Sequence, residues 1–314
     1  MKIVFMGTPE FAASILKAVC EAGHEVTAVY TQPDKPKGRS GALIAPPVKE
    51  YAESQGIPVY QPVKIKAPES VEVLKTIPAD VYVVAAYGQI LSQEILDIPK
   101  YGCINVHGSL LPEYRGAAPI QRSIANGESK TGVSIMKMDK GMDTGAVYST
   151  VSFPILDTDN EDTIYLKMAE TGAPELLKVL KDVEAGTAVA VPQDNDKATY
   201  APPLSKEEGL IDFKKSAKSI DCLVRGFLKW PTAYTTVNGK FLKVFETKVH
   251  DRLESVDTAD FEPGALIVTK KNVYVATGEG ILELIEVQLE GKKRMGACDF
   301  VRGMHLAGGD FLGQ

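Results

Sequence analysis

Asp80-Val81-Tyr82-Val83-Val84-Ala85-Ala86 is a short run in which every residue after the first is apolar or aromatic. It holds three valines and a tyrosine, residues that fit a pleated and crowded surface. A run with no polar alternation is buried on both faces, which is the position of a strand inside a parallel sheet. Working outward, Gly102-Cys103-Ile104-Asn105-Val106-His107 repeats the pattern until its last residues turn polar. Ile3–Met6 and Glu25–Thr31 read as two more strands. Between them, Phe11, Ile15, Leu16 and Val19 recur at helical spacing after Pro9 and stop at Gly23. Pro46–Gln55 and Glu69–Thr76 read as helices too. Strands alternating with helices imply βαβ units, so an α/β, doubly wound, Rossmann-like domain is expected.

A long helix is expected over Asp162–Ala185, ending at Gly186. Thr187–Pro203 has little periodicity and holds Pro192, Pro202 and Pro203, which reads as a connection. Beyond it the pattern changes. One helix, about Ser216–Phe227, precedes strands at Ala233–Val237, Lys240–Val249, Gly264–Thr269, Val273–Thr277 and Ile281–Leu289. Asn238-Gly239 marks a hairpin between the first two. Five short strands fit a small OB-like β-barrel. The expected organisation is therefore a first domain over 1–186, a linker over 187–208 and a second domain over 209–314.

The 314 residues carry a net charge of −6, and the balance is uneven. The first 204 hold 19 basic and 25 acidic side chains, and the rest hold 16 of each. The acidic total argues against a general polyanion binder. Lys35, Lys37, Arg39 and Lys49 against Asp34 form a local basic exception. Cys20, Cys103, Cys222 and Cys298 lack metal-ligand spacing, and neither a disulfide framework nor a metal site is expected. The apolar start turns polar at Thr8 and Glu10, too early for a signal-peptide core. A cytoplasmic monomer without a membrane span is the expectation.

Ligands of doubly wound sheets bind outside the carboxyl ends of the strands. Asn105 and His107 sit at such an end, on one face by the strand period of two. A lone histidine there reads first as a core residue, but the amide beside it and Gly108 after it move the reading toward a site. Asp143 lies 36 residues beyond His107, between Gly141 and Gly145. Alone it is a turn aspartate. With Asn105 and His107 it completes what acyl transfer to an amine needs: a donor for the carbonyl oxygen, an imidazole and a carboxylate. Ser109–Pro119 carries Leu110 and Leu111 in a loop, and composition leaves pocket wall and structural loop equally open. Gly7-Thr8-Pro9 lacks the later glycines of a dinucleotide site, so no nicotinamide cofactor is expected. The Lys35–Arg39 segment reads as a solvated loop or as a finger for phosphates. Lys292-Lys293-Arg294 reads as solvated, and Trp230 as a core anchor.

These residues carry a family likeness. Asn105, His107, Ser109-Leu110-Leu111-Pro112, Arg115-Gly116-Ala117-Ala118-Pro119 and Asp143 resemble the signature of the folate-dependent formyltransferases. Thr31-Gln32-Pro33-Asp34, Gln61-Pro62-Val63, Ala86-Tyr87-Gly88, Leu204-Ser205-Lys206-Glu207-Glu208 and Ala276-Thr277-Gly278-Glu279-Gly280 resemble the branch that acts on initiator tRNA. The likeness runs to about residue 294 and leaves the last 20 residues without a role. It implies 10-formyltetrahydrofolate as formyl donor, the α-amine of methionyl-initiator tRNA as acceptor, and no metal. It also implies that Asn105, His107 and Asp143 are catalytic. Ser109, Leu110, Leu111 and Pro112, with Tyr87 and Gly88, would contact folate. Arg39, Lys35, Lys37 and Lys206 would contact tRNA. The rival acceptor is a nucleotide-linked amino sugar. A cofactor-hydrolysing enzyme and a non-enzymatic RNA-binding module fit fewer of these residues.

Overall fold

The computed structural model describes residues 1–37, 42–253 and 261–313, with Lys37 described by its backbone alone. Contacts divide the chain into two compact units. The first comprises Met1–Pro119, Lys130–Pro154 and Tyr165–Ala201, and the second Ile120–Ser129, Ile155–Ile164 and Pro202–Gln314.

The strands up to residue 201 are β1 Lys2–Gly7, β2 Glu25–Tyr30, β3 Lys35–Lys37, β4 Ala42–Ile44, β5 Val59–Tyr60, β6 Val81–Ala85, β7 Cys103–His107, β8 Arg115–Gly116, β9 Lys130–Lys137, β10 Val147–Pro154 and β11 Tyr200–Ala201. The helices are α1 Glu10–Glu21, α2 Pro47–Ser54, α3 Pro68–Thr76, α4 Gln93–Leu96, α5 Pro119–Ala125 and α6 Glu161–Ala185. Seven strands form one sheet in the order β10-β9-β7-β6-β1-β2-β5. The five from β5 to β7 are parallel, while β9 and β10 are antiparallel additions at one edge. The chain builds outward from β1 to β5, then returns to place β6 on the other side of β1. That reversal is the switch point at which doubly wound sheets bind ligands.

The expected Rossmann-like domain is therefore present, and all five residues of β6 are buried as its composition requires. Sequence reading did not find β9 and β10. Gly132 and Ser134 break the apolar run of β9, and both are there for space and hydrogen bonding. A Cβ on Gly132 would lie 2.1 Å from the Val151 carbonyl oxygen and 2.5 Å from a Leu110 methyl. Val4, Met6, Tyr30, Tyr82, Val84, Tyr87, Leu91 and Cys103 belong to one core cluster of this unit. Burial raises the Tyr30, Tyr82 and Tyr87 phenols above their usual range and pushes the Cys103 thiol up to about 12.

The 187–201 stretch, aperiodic in sequence, carries structure of its own. Val191 bridges Val147, and Tyr200 and Ala201 pair in parallel with Arg115 and Gly116.

The second unit contains α7 Ala217–Gly226, then β12 Tyr234–Val237, β13 Lys240–His250, β14 Leu266–Val268, β15 Val273–Ala276, β16 Ile281–Leu289, β17 Met295–Gly296 and α8 Ala297–Met304. Its strands form an antiparallel sheet in the order β12-β13-β16-β15-β14, with β17 on β16. Register shifts at Val244/Glu246 and Glu246/Thr247 mark where β13 bends, so the sheet curls into an OB-like half-barrel. Asn238 and Gly239 adopt φ of 49° and 71°, the paired positive values of the expected hairpin turn. The interior includes Phe213, Ile220, Leu242, Leu282, Val287 and Phe300. Two readings change here. Trp230 is 56% exposed and not a core anchor, because the neighbouring Pro231, Thr232 and Ala233 take the buried places. The last 20 residues are not idle, since α8 contributes Phe300 and Val301 to the core and Leu312 joins them.

Candidate active site

Asn105 and His107 project from one face of β7, as the strand period predicts, and both are buried. Asn105 lies in register between Val84 of β6 and Met136 of β9, and His107 faces Ser134 of β9. Among the described residues no side chain or backbone group hydrogen-bonds the Asn105 amide.

The partner of His107 settles its tautomer. Nε2 lies 3.0 Å from the Tyr114 carbonyl oxygen, which can only accept, so Nε2 carries hydrogen. Nδ1 is then the nitrogen left for chemistry, and it faces Asp143 Oδ2 at 3.7 Å. That gap is too long for a hydrogen bond. Asp143 Oδ2 accepts instead from the Gly116 N–H at 2.8 Å. Asp143 has a φ of 53°, a left-handed conformation that costs a non-glycine residue about 1–2 kcal/mol. Its loop is stapled by Asp139, whose Oδ1 accepts from Gly141 N–H at 3.0 Å and from the Thr144 hydroxyl at 2.6 Å.

The loop after β7 is held by the same neighbouring strand. The Ser134 hydroxyl donates to the Ser109 carbonyl at 2.7 Å and accepts from the Leu111 N–H at 3.0 Å. The Ser109 hydroxyl donates to the Glu113 carbonyl at 2.6 Å and so closes the loop. Leu110, Leu111 and Pro112 stay half-buried. Tyr87 is placed differently from a ligand contact through its ring: the ring lies in the core and its carbonyl accepts from Thr8 and Gln32. Gly88 beside it is exposed with a φ of 83°. Sequence reading assigned no role to Arg115, Gln193 or Asn195, which lie directly behind the Asp143 loop. Arg115 is 2% exposed, and its guanidinium donates to the Gln193 and Asn195 side-chain oxygens. No local sequence signal marks these partners, since Gln193 is 78 residues from Arg115. A cavity of about 620 Å³ at the opposite end of β7, around Lys100, Lys137 and Tyr148, is lined by Asp139 but by none of Asn105, His107 and Asp143.

The basic residues lie elsewhere. Lys35 is exposed on β3, Lys37 is on the same strand, and Arg39 lies outside the described residues. Lys206 belongs to the second unit, with Nζ 5.2 Å from the Phe241 ring centroid. Among the described residues no cluster of three or more His, Cys, Asp or Glu side chains could hold a metal ion. No helix among them is long and apolar enough to cross a membrane.

Comparison with known proteins places this geometry. Residues 1–180 match the formyl transferase family and residues 203–305 match the formyl transferase C-terminal domain. The chain is 48% identical to a methionyl-tRNA formyltransferase of Agathobacter rectalis over 99% of both chains. It is 47% identical to the methionyl-tRNA formyltransferase of Bacillus subtilis, over 99% of this chain and 98% of the relative. Among solved structures, it resembles an N-formyltransferase from Helicobacter canadensis in complex with folinic acid and dTDP-3-aminofucose. The TM-score is 0.67 at 19% identity, over 90% of this chain and 99% of the other. It also resembles HypX from Aquifex aeolicus in complex with tetrahydrofolic acid, with a TM-score of 0.67 at 17% identity, over 96% of this chain and 47% of that longer one. At those identities the structures speak for the fold; the two family matches and the full-length relatives show that this chain belongs to the formyltransferases and, within them, to the methionyl-tRNA formyltransferases.

Proposed function

We propose that this chain transfers a formyl group from 10-formyltetrahydrofolate to the α-amino group of methionyl-initiator tRNA, in the cytoplasm, giving N-formylmethionyl-tRNA and tetrahydrofolate. The observation that carries the chemistry is the Asn105 amide, buried and without a hydrogen-bond partner among the described residues, beside an imidazole whose Nδ1 faces a carboxylate. In the reaction the amine nitrogen bonds to the formyl carbon, negative charge grows on the formyl oxygen, and the bond to the folate nitrogen breaks. Asn105 donates to that oxygen. The amine must lose a proton and the folate nitrogen must gain one. His107 Nδ1 takes up the amine proton and returns it to the departing folate nitrogen, and the Asp143 carboxylate 3.7 Å away steadies the charged ring in between. Because Nε2 is tied to Tyr114, the proton moves through Nδ1 alone.

Leu110, Leu111 and Pro112, pinned through Ser134, supply the apolar wall for the folate, and Gly88 lets the backbone turn beside it. Tyr87 serves through its backbone. Residues 1–186 carry the catalysis, 187–208 connect, and 209–314 bind tRNA. Arg39, Lys35 and Lys37 meet the acceptor stem and Lys206 its 3′ end. The test is formyl transfer from 10-formyltetrahydrofolate with methionyl-initiator tRNA, methionyl-elongator tRNA and a nucleotide-linked amino sugar as parallel acceptors. Transfer to the initiator alone supports the proposal. Transfer to the sugar, or to neither tRNA, contradicts it.

A further inference from the structure

We infer that Gln193 is the positioning residue for Asp143, with the buried Arg115 as its anchor; the inference rests on the role proposed for Asp143. Among the described residues no carboxylate pairs with Arg115. Its Nε and one terminal nitrogen donate to Gln193 Oε1 at 3.1 and 2.8 Å, and that terminal nitrogen also donates to Asn195 Oδ1 at 2.8 Å. Burying a guanidinium against neutral amides is costly and a poor way to gain stability. It does fix geometry. A fork of donors leaves the Gln193 amide one orientation, with oxygen toward Arg115 and nitrogen away from it.

That nitrogen then donates to the Asp143 carbonyl at 2.8 Å and to the Gly145 carbonyl at 2.7 Å. Both amide hydrogens of Gln193 are thus spent on the loop that carries the carboxylate. The loop needs such a clamp, because Asp143 is held left-handed at a φ of 53°. The residue after Arg115 completes the arrangement, since Gly116 N–H holds Asp143 Oδ2 at 2.8 Å. Backbone and carboxylate of Asp143 are therefore fixed by two neighbouring points of one structure. Gln193 is brought there by the Val147–Val191 bridge on one side and the β8–β11 pairing on the other. Asn195 shares the anchor but makes no hydrogen bond to the Asp143 loop, and so serves as the internal control.

The experiment compares Gln193→Met, Gln193→Glu, Asn195→Ala and Asp143→Asn in full-length protein, reading kcat, both KM values and Tm. Gln193→Met keeps the length of the side chain and loses every hydrogen bond. Gln193→Glu keeps the anchor to Arg115 but turns a carboxylate oxygen toward two carbonyls, so it reports even if the first variant folds poorly. Both are expected to lower kcat about 10–100-fold, the cost of a displacement near 1 Å. Both KM values should stay within about twofold, since no binding contact is removed. Asn195→Ala should stay within about threefold of wild type in kcat. A wild-type kcat in both Gln193 variants, with Asp143→Asn inactive, would overturn the inference and leave the role of Asp143 standing. Equal losses in Asn195→Ala and the Gln193 variants would also overturn it, as general loosening of the segment. Asp143→Asn at the wild-type rate would remove the role of Asp143 and the inference with it.

Discussion

At His107 one hydrogen bond, from Nε2 to the Tyr114 carbonyl, fixes which ring nitrogen the proposed mechanism can use. A carbonyl acceptor on Nε2 leaves Nδ1 as the working nitrogen, so substitutions that mimic one nitrogen or the other separate the two. His107→Gln can place its amide nitrogen near Nε2 and keep the bond to Tyr114, while removing Nδ1. It is expected to fold with a Tm near that of wild type and to lose about 100–10,000-fold in kcat, the range of a positioned acid–base group. A rate within a few-fold of wild type would mean that Nδ1 moves no proton. The pairing of Asn105 with His107 was legible in the sequence because the two share a strand face and sit at a sheet's carboxyl end. Arg115, Gln193, Asn195 and the Tyr114 carbonyl were not. Their meaning lies in partners far along the chain, and Gln193 stands in a stretch whose lack of periodicity carries no information about contact.

Among elements, runs rich in apolar and β-branched residues announced β1, β2, β6 and β7, while β9 stayed hidden because its interior needs a glycine and a serine. The Lys206-bearing segment shows how a polar clamp fixes an element without regular structure. Arg122 on α5 donates to the Glu208 carboxylate at 2.8 and 3.2 Å and to the carbonyls of Pro202 and Pro203. Glu208 also accepts from Ser205 N–H at 2.8 Å. The Arg122 guanidinium, and next the Ser205 N–H, hold the Glu208 carboxyl below the usual carboxylate range against the opposing effect of burial. A carboxylate with a depressed folded pKa contributes stability that is complete above its unfolded pKa and is lost as pH falls through the folded value. Glu208→Gln should therefore cost about 0.5–1 kcal/mol at pH 7, after allowing for partial exposure of the pair. The Tm difference from wild type should close as the pH drops below about 4. A difference that persists unchanged into acid would assign the effect to packing instead.

For the whole molecule, the hairpin signal at Asn238-Gly239 and the spacing of the later strands made the OB-like unit legible. The sharing of the chain between units was not. Residues 120–129 and 155–164 belong with the second unit although they lie within the first in sequence, and only tertiary packing decides that. A net charge of −6 makes tRNA binding depend on a few local cations and not on the overall field. With Arg39, Lys35, Lys37 and Lys206 as the contacts, log affinity should fall with log salt with a slope of about −3. Arg39→Ala and Lys206→Ala should each make that slope shallower by about one and raise KM for tRNA, leaving KM for the folate unchanged. A slope near zero would place the tRNA contacts elsewhere. The most direct measurement is single-turnover formyl transfer from 10-formyltetrahydrofolate to methionyl-initiator tRNA, with both saturating, by wild type and by Asn105→Ala. Transfer by wild type, with the variant slower by about 100–1,000-fold at unchanged substrate affinities, is the predicted result. No transfer by wild type, or an Asn105→Ala rate equal to it, would contradict the account.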